Sequence, residues 1–322
     1  MKLLSRLDDN FLKGRNCLLR INLDIKKEPN AKNWRLQAVV PTIKYLLDHG
    51  SKIKILSHRG RPEGEDKELL LAPMIKILSQ MVGQNLDYLE NVRFNPLEHE
   101  NDDKFAEELA KNGDFYVNDD FATSHRPHAS ISAITRHLPS FAGLLLEKEI
   151  KVLSRVRDNP NQPLVMLIGG IKITDKAAAI EHLYDKAEAF LMGSAYIDQA
   201  DPILQKEKVI IPADWSTDNS NERDIGPQTI KQYQEIIGRA KTIIWSGPVG
   251  LVELPKFSIG SRAVAEAIAK TDAFAVAGGG DTSHFLIEEG VADMFDFIST
   301  GGGAMLDFLA DKKLPGLEAL KR

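Results

Sequence analysis

A single cysteine, Cys17, among 322 residues excludes an intrachain disulfide and leaves no cysteine cluster to hold a metal; it suits a reducing compartment. The histidines match no zinc-ligand spacing. Apolar runs of membrane-spanning length are missing, as are low-complexity tracts and repeats of solenoid period. One-sided charge is missing too. The 46 acidic residues against 41 basic ones give a net charge of −5, which argues against wholesale nucleic-acid binding and leaves room only for a local basic cleft. No long apolar stretch follows Met1-Lys2-Leu3-Leu4-Ser5-Arg6, so a cytoplasmic protein with no membrane or nucleic-acid partner is expected. What is present is 43% hydrophobic and 27% charged, a globular composition long enough for two domains, each with its own core.

Apolar runs alternate with amphipathic segments along the whole chain. Strands are predicted over 16–23, 52–56 and 114–118, then over 164–168, 189–192, 208–211, 242–245, 273–277 and 295–298. Helical periodicity falls between them, at 36–47, 72–81, 104–110, 228–238 and 261–270. Such alternation predicts an α/β fold of two doubly wound parallel-sheet, Rossmann-like domains. A helix over 142–158, followed by the polar link Asn159-Pro160-Asn161-Gln162-Pro163, predicts the boundary. The expected division is 1–141 for the first domain, 142–160 for the connecting helix and linker, and 161–305 for the second domain. Ligands of such sheets bind beyond the C-terminal strand ends. The run Glu63-Gly64-Glu65-Asp66-Lys67-Glu68 reads as a solvated loop.

Three glycine-rich turns mark the second half: Gly169-Gly170, Gly278-Gly279-Gly280-Asp281-Thr282 and Ser299-Thr300-Gly301-Gly302-Gly303. Each ends an apolar run and opens a helical segment. Backbone N–H groups at such a helix start form a phosphate cradle. One glycine turn would carry little weight, since glycine also serves ordinary tight turns. Three, with Lys172, Lys176 and Asp281 at or near them, predict a nucleotide site.

The first half places cations after strands: Arg20 in its strand, Arg35 opening a helix, His58 and Arg61 in Ser57-His58-Arg59-Gly60-Arg61-Pro62, Arg93, and Arg126 with His125 and His128. Guanidinium forks bind carboxylate and phosphate two-pronged. Each arginine taken singly also reads as a surface charge, and His125 and His128 as structural; together the set predicts an anion pocket.

At this point the chain resembles the phosphoglycerate kinase family in order over nearly its whole length. The resemblance rests on Ser57-His58-Arg59-Gly60-Arg61-Pro62, Glu90-Asn91-Val92-Arg93-Phe94, the stretch 116–130, Gly169-Gly170-Ile171-Lys172-Ile173-Thr174-Asp175-Lys176, Trp245-Ser246-Gly247-Pro248-Val249-Gly250, the two later glycine turns and Leu314-Pro315-Gly316-Leu317. It implies two domains across a cleft that closes on a hinge, and a tail, 306–322, packing back toward the first domain. The implied activity is a glycolytic one, phosphoryl transfer between a nucleotide and the carboxylate of 3-phosphoglycerate or a related small acid. Arg20, Asn22, Asp24, Arg35, His58, Arg61, Arg93 and Arg126 would hold the acid. Gly169, Gly170, Lys172, Lys176, Gly193, Gly247, Pro248, Glu253, Gly279, Gly280, Asp281 and Thr282 would hold ATP or ADP. Glu253 would meet the ribose and Asp281 the nucleotide's Mg²⁺. Arg35, Lys172, Lys176 and Gly302 would act on the phosphoryl in flight, in a protein expected to be a monomer. Such transfer asks for in-line placement and charge neutralisation.

The sequence also departs from the family. It is shortened between Leu86 and Glu90, and between Gly193-Ser194-Ala195-Tyr196 and Ile211-Pro212-Ala213-Asp214. Asn22-Leu23-Asp24 stands where the family has aspartate–aromatic–asparagine, Glu222-Arg223 where it has Gly-Leu at the adenine face, and Ser246 where it has asparagine. A charge in an apolar base slot is costly, so that slot is expected to be rebuilt or opened, with a flattened preference among ATP, GTP and simpler phosphate donors. Leu251 or Val252 closing a pocket of different shape is the competing expectation. The cationic set survives, so the expected protein is an active enzyme of altered acid or nucleotide specificity. The alternative is a non-catalytic anion- or nucleotide-binding relative with a regulatory or scaffold role.

Overall fold

In the computed structural model the described residues are 1–25, 30–171, 173–218 and 223–321. The chain forms two compact units, residues 1–150 with 313–322 and residues 151–312.

The first unit is built on five parallel strands: β1 (Asn16–Arg20), β2 (Lys52–Leu56), β3 (Asp87–Tyr88), β4 (Phe115–Asn118) and β5 (Ser140–Ala142), in the order β3-β2-β1-β4-β5. The helices Trp34–Asp48, Ala72–Val82 and Asp103–Ala110 lie between strands in sequence. Leu19, Ile21, Ile43, Ile55, Met74, Phe115 and Val117 share one core, and each such fully buried side chain contributes about 1.5–3 kcal/mol. Register sets Arg20 level with both Leu56 and Asn118. The loops after β1, β2 and β4 therefore leave the sheet together, at the place where strand order reverses.

The second unit repeats this logic with β6 (Leu164–Ile168), β7 (Ala187–Met192), β8 (Val209–Ile210), β11 (Thr242–Ser246), β12 (Phe274–Gly278) and β13 (Phe297–Ser299), in the order β13-β12-β11-β6-β7-β8. All five residues of β6 are buried, as befits a central parallel strand covered on both faces. Order reverses between β6 and β11, where Ser246 is level with Ile168 and with Gly278. A separate antiparallel pair, β9 (Trp215–Thr217) with β10 (Arg223–Ile225), completes the unit.

The periodicity missed β3, β5, β9 and β10, each of two or three residues. The helix expected over 142–158 runs Leu144–Asp158, because Ala142 ends β5. Asp119 accepts from the Leu146 N–H at 3.0 Å and so caps that helix. The expected tail divides. Helix Gly303–Leu309 belongs to the second unit, while 313–322 belongs to the first, where the Gly316 N–H donates to the Ser124 carbonyl at 2.9 Å.

Candidate functional site

At the switch point of the first unit lies a buried polar network. Arg20 ends β1 with no exposure. Its Nη1 pairs with Asp120 at 2.9 Å, its Nε donates to Ser130 Oγ at 3.0 Å, and its Nη2 donates to His58 Nδ1 at 2.8 Å. Ser130 Oγ in turn donates to the buried Glu98 at 2.6 Å. Arg20 is thus engaged within the protein, where its fork braces other groups. A guanidinium can only donate, so His58 accepts at Nδ1 and carries its proton on Nε2. That Nε2 lies 4.0 Å from Asp24 Oδ2.

Around this brace the loops knit together. Asn22 Nδ2 donates to Asp120 at 3.1 Å, and Asn22 Oδ1 accepts from the Asp24 N–H at 3.1 Å. Asp24 Oδ1 accepts from the Gly60 N–H at 2.9 Å, and its carbonyl accepts from Arg35 Nη1 at 2.9 Å. Gly60, at φ +65°, turns its carbonyl to Arg93 Nη1 at 2.6 Å. Asn22 and Asp24 are therefore both engaged within the protein. Arg93 is only 4% exposed, and its Nε has no hydrogen-bond partner among the described residues. Arg126 is half-buried and Arg61 exposed.

These cations act on one another. Burial first, then Arg20 and Arg126, lowers Arg93 to about 10, which leaves it charged at neutral pH. Burial, then Arg20 and Arg93, holds His58 well below the usual imidazole range. Burial, then His99 and Arg93, takes His128 down to about 3, and burial, then Arg93, lowers His99. His99 Nδ1 and His128 Nε2 are 3.2 Å apart, with Glu98 3.7 Å from His128. The result is a set of arginines backed by neutral imidazoles, chemistry suited to an anion. Asp120, Glu98, His99 and Ser130 were missing from the expected site because their roles rest on contacts with residues distant in the chain.

A pH effect follows. Histidines held below their unfolded value bind fewer protons folded than unfolded, so stability falls as pH drops from about 6.5 toward the folded values. Asp119 and Asp224, each of which burial pushes up to about 6, work the other way between about pH 4 and 6. His58, His99 and His128 together outweigh them. His128 alone should cost on the order of 2 kcal/mol at pH 5. Urea melts at pH 7 and 5 should show the loss, and His128→Gln should shrink it; an unchanged pH dependence in that variant would discount His128.

In the second unit the glycine turns mesh with one another. A Cβ on Gly169 would sit 1.7 Å from the Pro248 carbonyl oxygen, and one on Gly193 3.1 Å from Val249 Cα. The N–H groups of Gly169, Gly170, Gly193 and Gly247 bond to Ser246 O, Pro248 O, Ile168 O and Thr282 Oγ1. Tyr196 Oη donates to Gly169 O at 2.9 Å. Glycine is required at these positions for close backbone approach, and these N–H groups are engaged within the protein. Thr282 is likewise an internal tie.

Donors for an anion come instead from the helix starts. Thr174–Leu183, Gly280–Glu288 (N-cap Gly279, φ +107°) and Gly303–Leu309 (N-cap Gly302) have no side-chain cap, so their first N–H groups and dipoles suit phosphate. A Cβ on Gly302 would meet Gly279 Cα at 3.1 Å, which brings the last two together. Lys176 Nζ lies 3.5 Å from where a Cβ on Gly170 would sit, and burial lowers its pKa. Lys172 lies outside the described residues, as does Glu222.

Beside these turns opens a cleft of about 390 Å³ with an apolar wall of Ile171, Ala195, Pro248, Val249 and Leu251, and with Glu253 and Asp281 on it. Arg223, the charge expected to spoil the base slot, lines the same cleft and pairs with Asp198 at 2.7 Å. Its charge is compensated, and Leu251 helps close the wall. Asp281 as a single carboxylate fits Mg²⁺ carried by polyphosphate, which needs few protein ligands; among the described residues no group of three or more His, Cys, Asp or Glu could hold a metal alone.

Comparison with known proteins gives the same outline. The family model described as phosphoglycerate kinase matches residues 7–89, 85–199 and 195–312. The phosphoglycerate kinase of Dictyoglomus turgidum is 34% identical over 386 aligned positions, covering 98% of both chains, and that of Finegoldia magna 33% over 387, again 98% of both. Alignments longer than the 322-residue chain put its shortening in internal segments. Among solved structures, phosphoglycerate kinase from Coxiella burnetii superposes with a TM-score of 0.83 at 30% identity, over 99% of this chain and 98% of that one. The enzyme from Pyrococcus horikoshii gives 0.87 at 28%, over 100% and 98%.

Proposed function

The chain belongs to the phosphoglycerate kinase family, kinases whose acceptor is a carboxyl group, and we propose that it moves a phosphoryl group between a Mg²⁺-nucleotide and the carboxylate of 3-phosphoglycerate or a close relative. The observation that carries this is Arg93: a buried guanidinium whose Nε lacks a partner among the described residues, beside the half-buried Arg126 and the exposed Arg61. An orphaned buried N–H costs about 1–3 kcal/mol, and a phosphate or carboxylate oxygen would satisfy it. In this reading Arg35, Arg61, Arg93, Arg126 and His58 Nε2–H hold the acid, with Arg20 and Asp120 setting their positions. The nucleotide occupies the cleft of the second unit, with Glu253 toward its ribose and Asp281 toward its metal. Mg²⁺, when bound, neutralises charge on the polyphosphate; Lys176 and the uncapped helix starts neutralise the rest.

Altered acid specificity is part of the proposal. Asn22 presents an amide where the family has a carboxylate, and a carboxylate there would stand against Asp120. The decisive experiment is a coupled assay with 3-phosphoglycerate, Mg²⁺ and a panel of nucleotides. Each charge-assisted contact should contribute about 1.5–3 kcal/mol, so Arg126→Ala and Arg61→Ala should each weaken binding of the phosphorylated acid at least tenfold. Unchanged affinity in both variants would remove the pocket from the mechanism.

A further inference from the structure

The Arg223–Asp198 pair in the nucleotide cleft has no part in phosphate binding or metal binding, yet its placement is fixed. Across the sheet the strands run β12, β11, β6, β7, and the loops that follow them carry in turn Asp281, Glu253, Ile171 and Asp198. Three strand spacings amount to about 14 Å, the reach from a nucleotide's metal-bound phosphates to its base. Asp198 and its partner therefore stand at the base end, opposite Asp281. Arg223 is held there firmly. Its carbonyl accepts from Ser194 Oγ at 3.1 Å. The next residue, the buried Asp224, accepts from the Gly260 N–H at 2.7 Å and packs against Gly250. The Arg223 side chain is 20% exposed and that of Asp198 70%.

We propose that the Arg223–Asp198 pair at the base end of this cleft selects guanine over adenine, making the enzyme a guanine-nucleotide-preferring phosphotransferase. The inference rests on the nucleotide reading of the cleft given above. Its chemistry is that of paired edges. Guanine offers adjacent acceptors at O6 and N7, which match a guanidinium fork, and adjacent donors at N1–H and the 2-amino group, which match a carboxylate. Adenine offers neither pair: its N6 amino donor stands next to N7 on one side and N1 on the other. Set against Arg223 it would oppose donor to donor, and against Asp198 it would supply one hydrogen bond in place of two. A site built for edge hydrogen bonds rejects a base that leaves them unmade. Guanine can engage the outer atoms of both side chains while their mutual contact at 2.7 Å stays closed. Such a preference replaces the flat one expected from the shortened sequence.

The test uses the whole protein with Mg²⁺. Initial rates with ATP, GTP and ITP in the coupled assay, and calorimetric binding of ADP, GDP and IDP, give two independent readouts. GTP should exceed ATP at least tenfold in kcat/KM, with ITP between them because it keeps O6, N1–H and N7 but lacks the 2-amino group. Arg223→Leu should abolish the preference, and Asp198→Asn should erase the gap between GTP and ITP. Equal or better use of ATP by the unaltered protein, or a ratio unmoved by Arg223→Leu, overturns the proposal while leaving phosphoryl transfer intact. Tighter GDP than ADP binding with no turnover of any nucleotide would instead overturn the transfer reading and support this one. If no nucleotide binds, both fall.

Discussion

Asp120→Ala is expected to destabilise the first unit by about 3–5 kcal/mol, the effect of stranding a buried cation. Arg20 has no exposure and pairs with Asp120 at 2.9 Å. Its other contacts, to Ser130, His58 and the Ile21 carbonyl, are to neutral groups. No solvent reaches it to replace the lost carboxylate. The same geometry names a rescue. Asn22 Nδ2 is 3.1 Å from Asp120, so Asn22→Asp places a new carboxylate beside the vacated one. Asn22→Asp alone sets two carboxylates against a single guanidinium and should destabilise; combined with Asp120→Ala it should recover at least half of the loss. Urea denaturation of the four proteins of this cycle measures the coupling. A cost below about 1 kcal/mol for Asp120→Ala, or a double variant no better than the single, would show that Arg20 does not depend on this charge. The cycle also bears on the acid. The exchange of Asn22 and Asp24 is physically coherent only with Asp120 neutralised, and that triple variant should gain activity on 3-phosphoglycerate if specificity has moved away from it.

Lys176→Met is expected to lower kcat about 10²–10³-fold, the usual effect of removing one donor that stabilises transition-state charge. Lys176 is half-buried, and burial lowers its pKa, so its contact with a phosphoryl oxygen is less screened than in bulk water. Methionine keeps the length and apolar stem of the side chain while deleting the charge, so the melting temperature should stay within about 2 °C of the parent, the shift that a change of a few tenths of a kcal/mol produces. Coupled-assay kcat and KM are the measurements. A rise confined to KM would place Lys176 in ground-state binding of the nucleotide only, and an unchanged kcat would remove it from the chemistry.

Much of the fold was open to reading in the sequence, because the physics that fixes it is local. Five-residue apolar runs such as 164–168 bury on both faces of a parallel sheet wherever they occur, and amphipathic periodicity such as that of 36–47 marks its own covering helix. The cationic residues after β2 and in 93–128, the glycine turns, Lys176 and Asp281 could be singled out as candidates for the same reason: motif and position after a strand are properties of neighbours in the chain. The tertiary structure decided what depends on partners far apart. Arg20 became a buried brace because Asp120 and Ser130, a hundred or so residues on, close around it. Gly169 proved to be demanded by the Pro248 carbonyl, which leaves no room for a Cβ. Arg223 proved affordable in the cleft because Asp198 meets it. A sequence lists donors, acceptors and charges, but whether a charge is spent or available depends on which distant group the fold brings within about 3 Å, and burial then sets how much that pairing is worth.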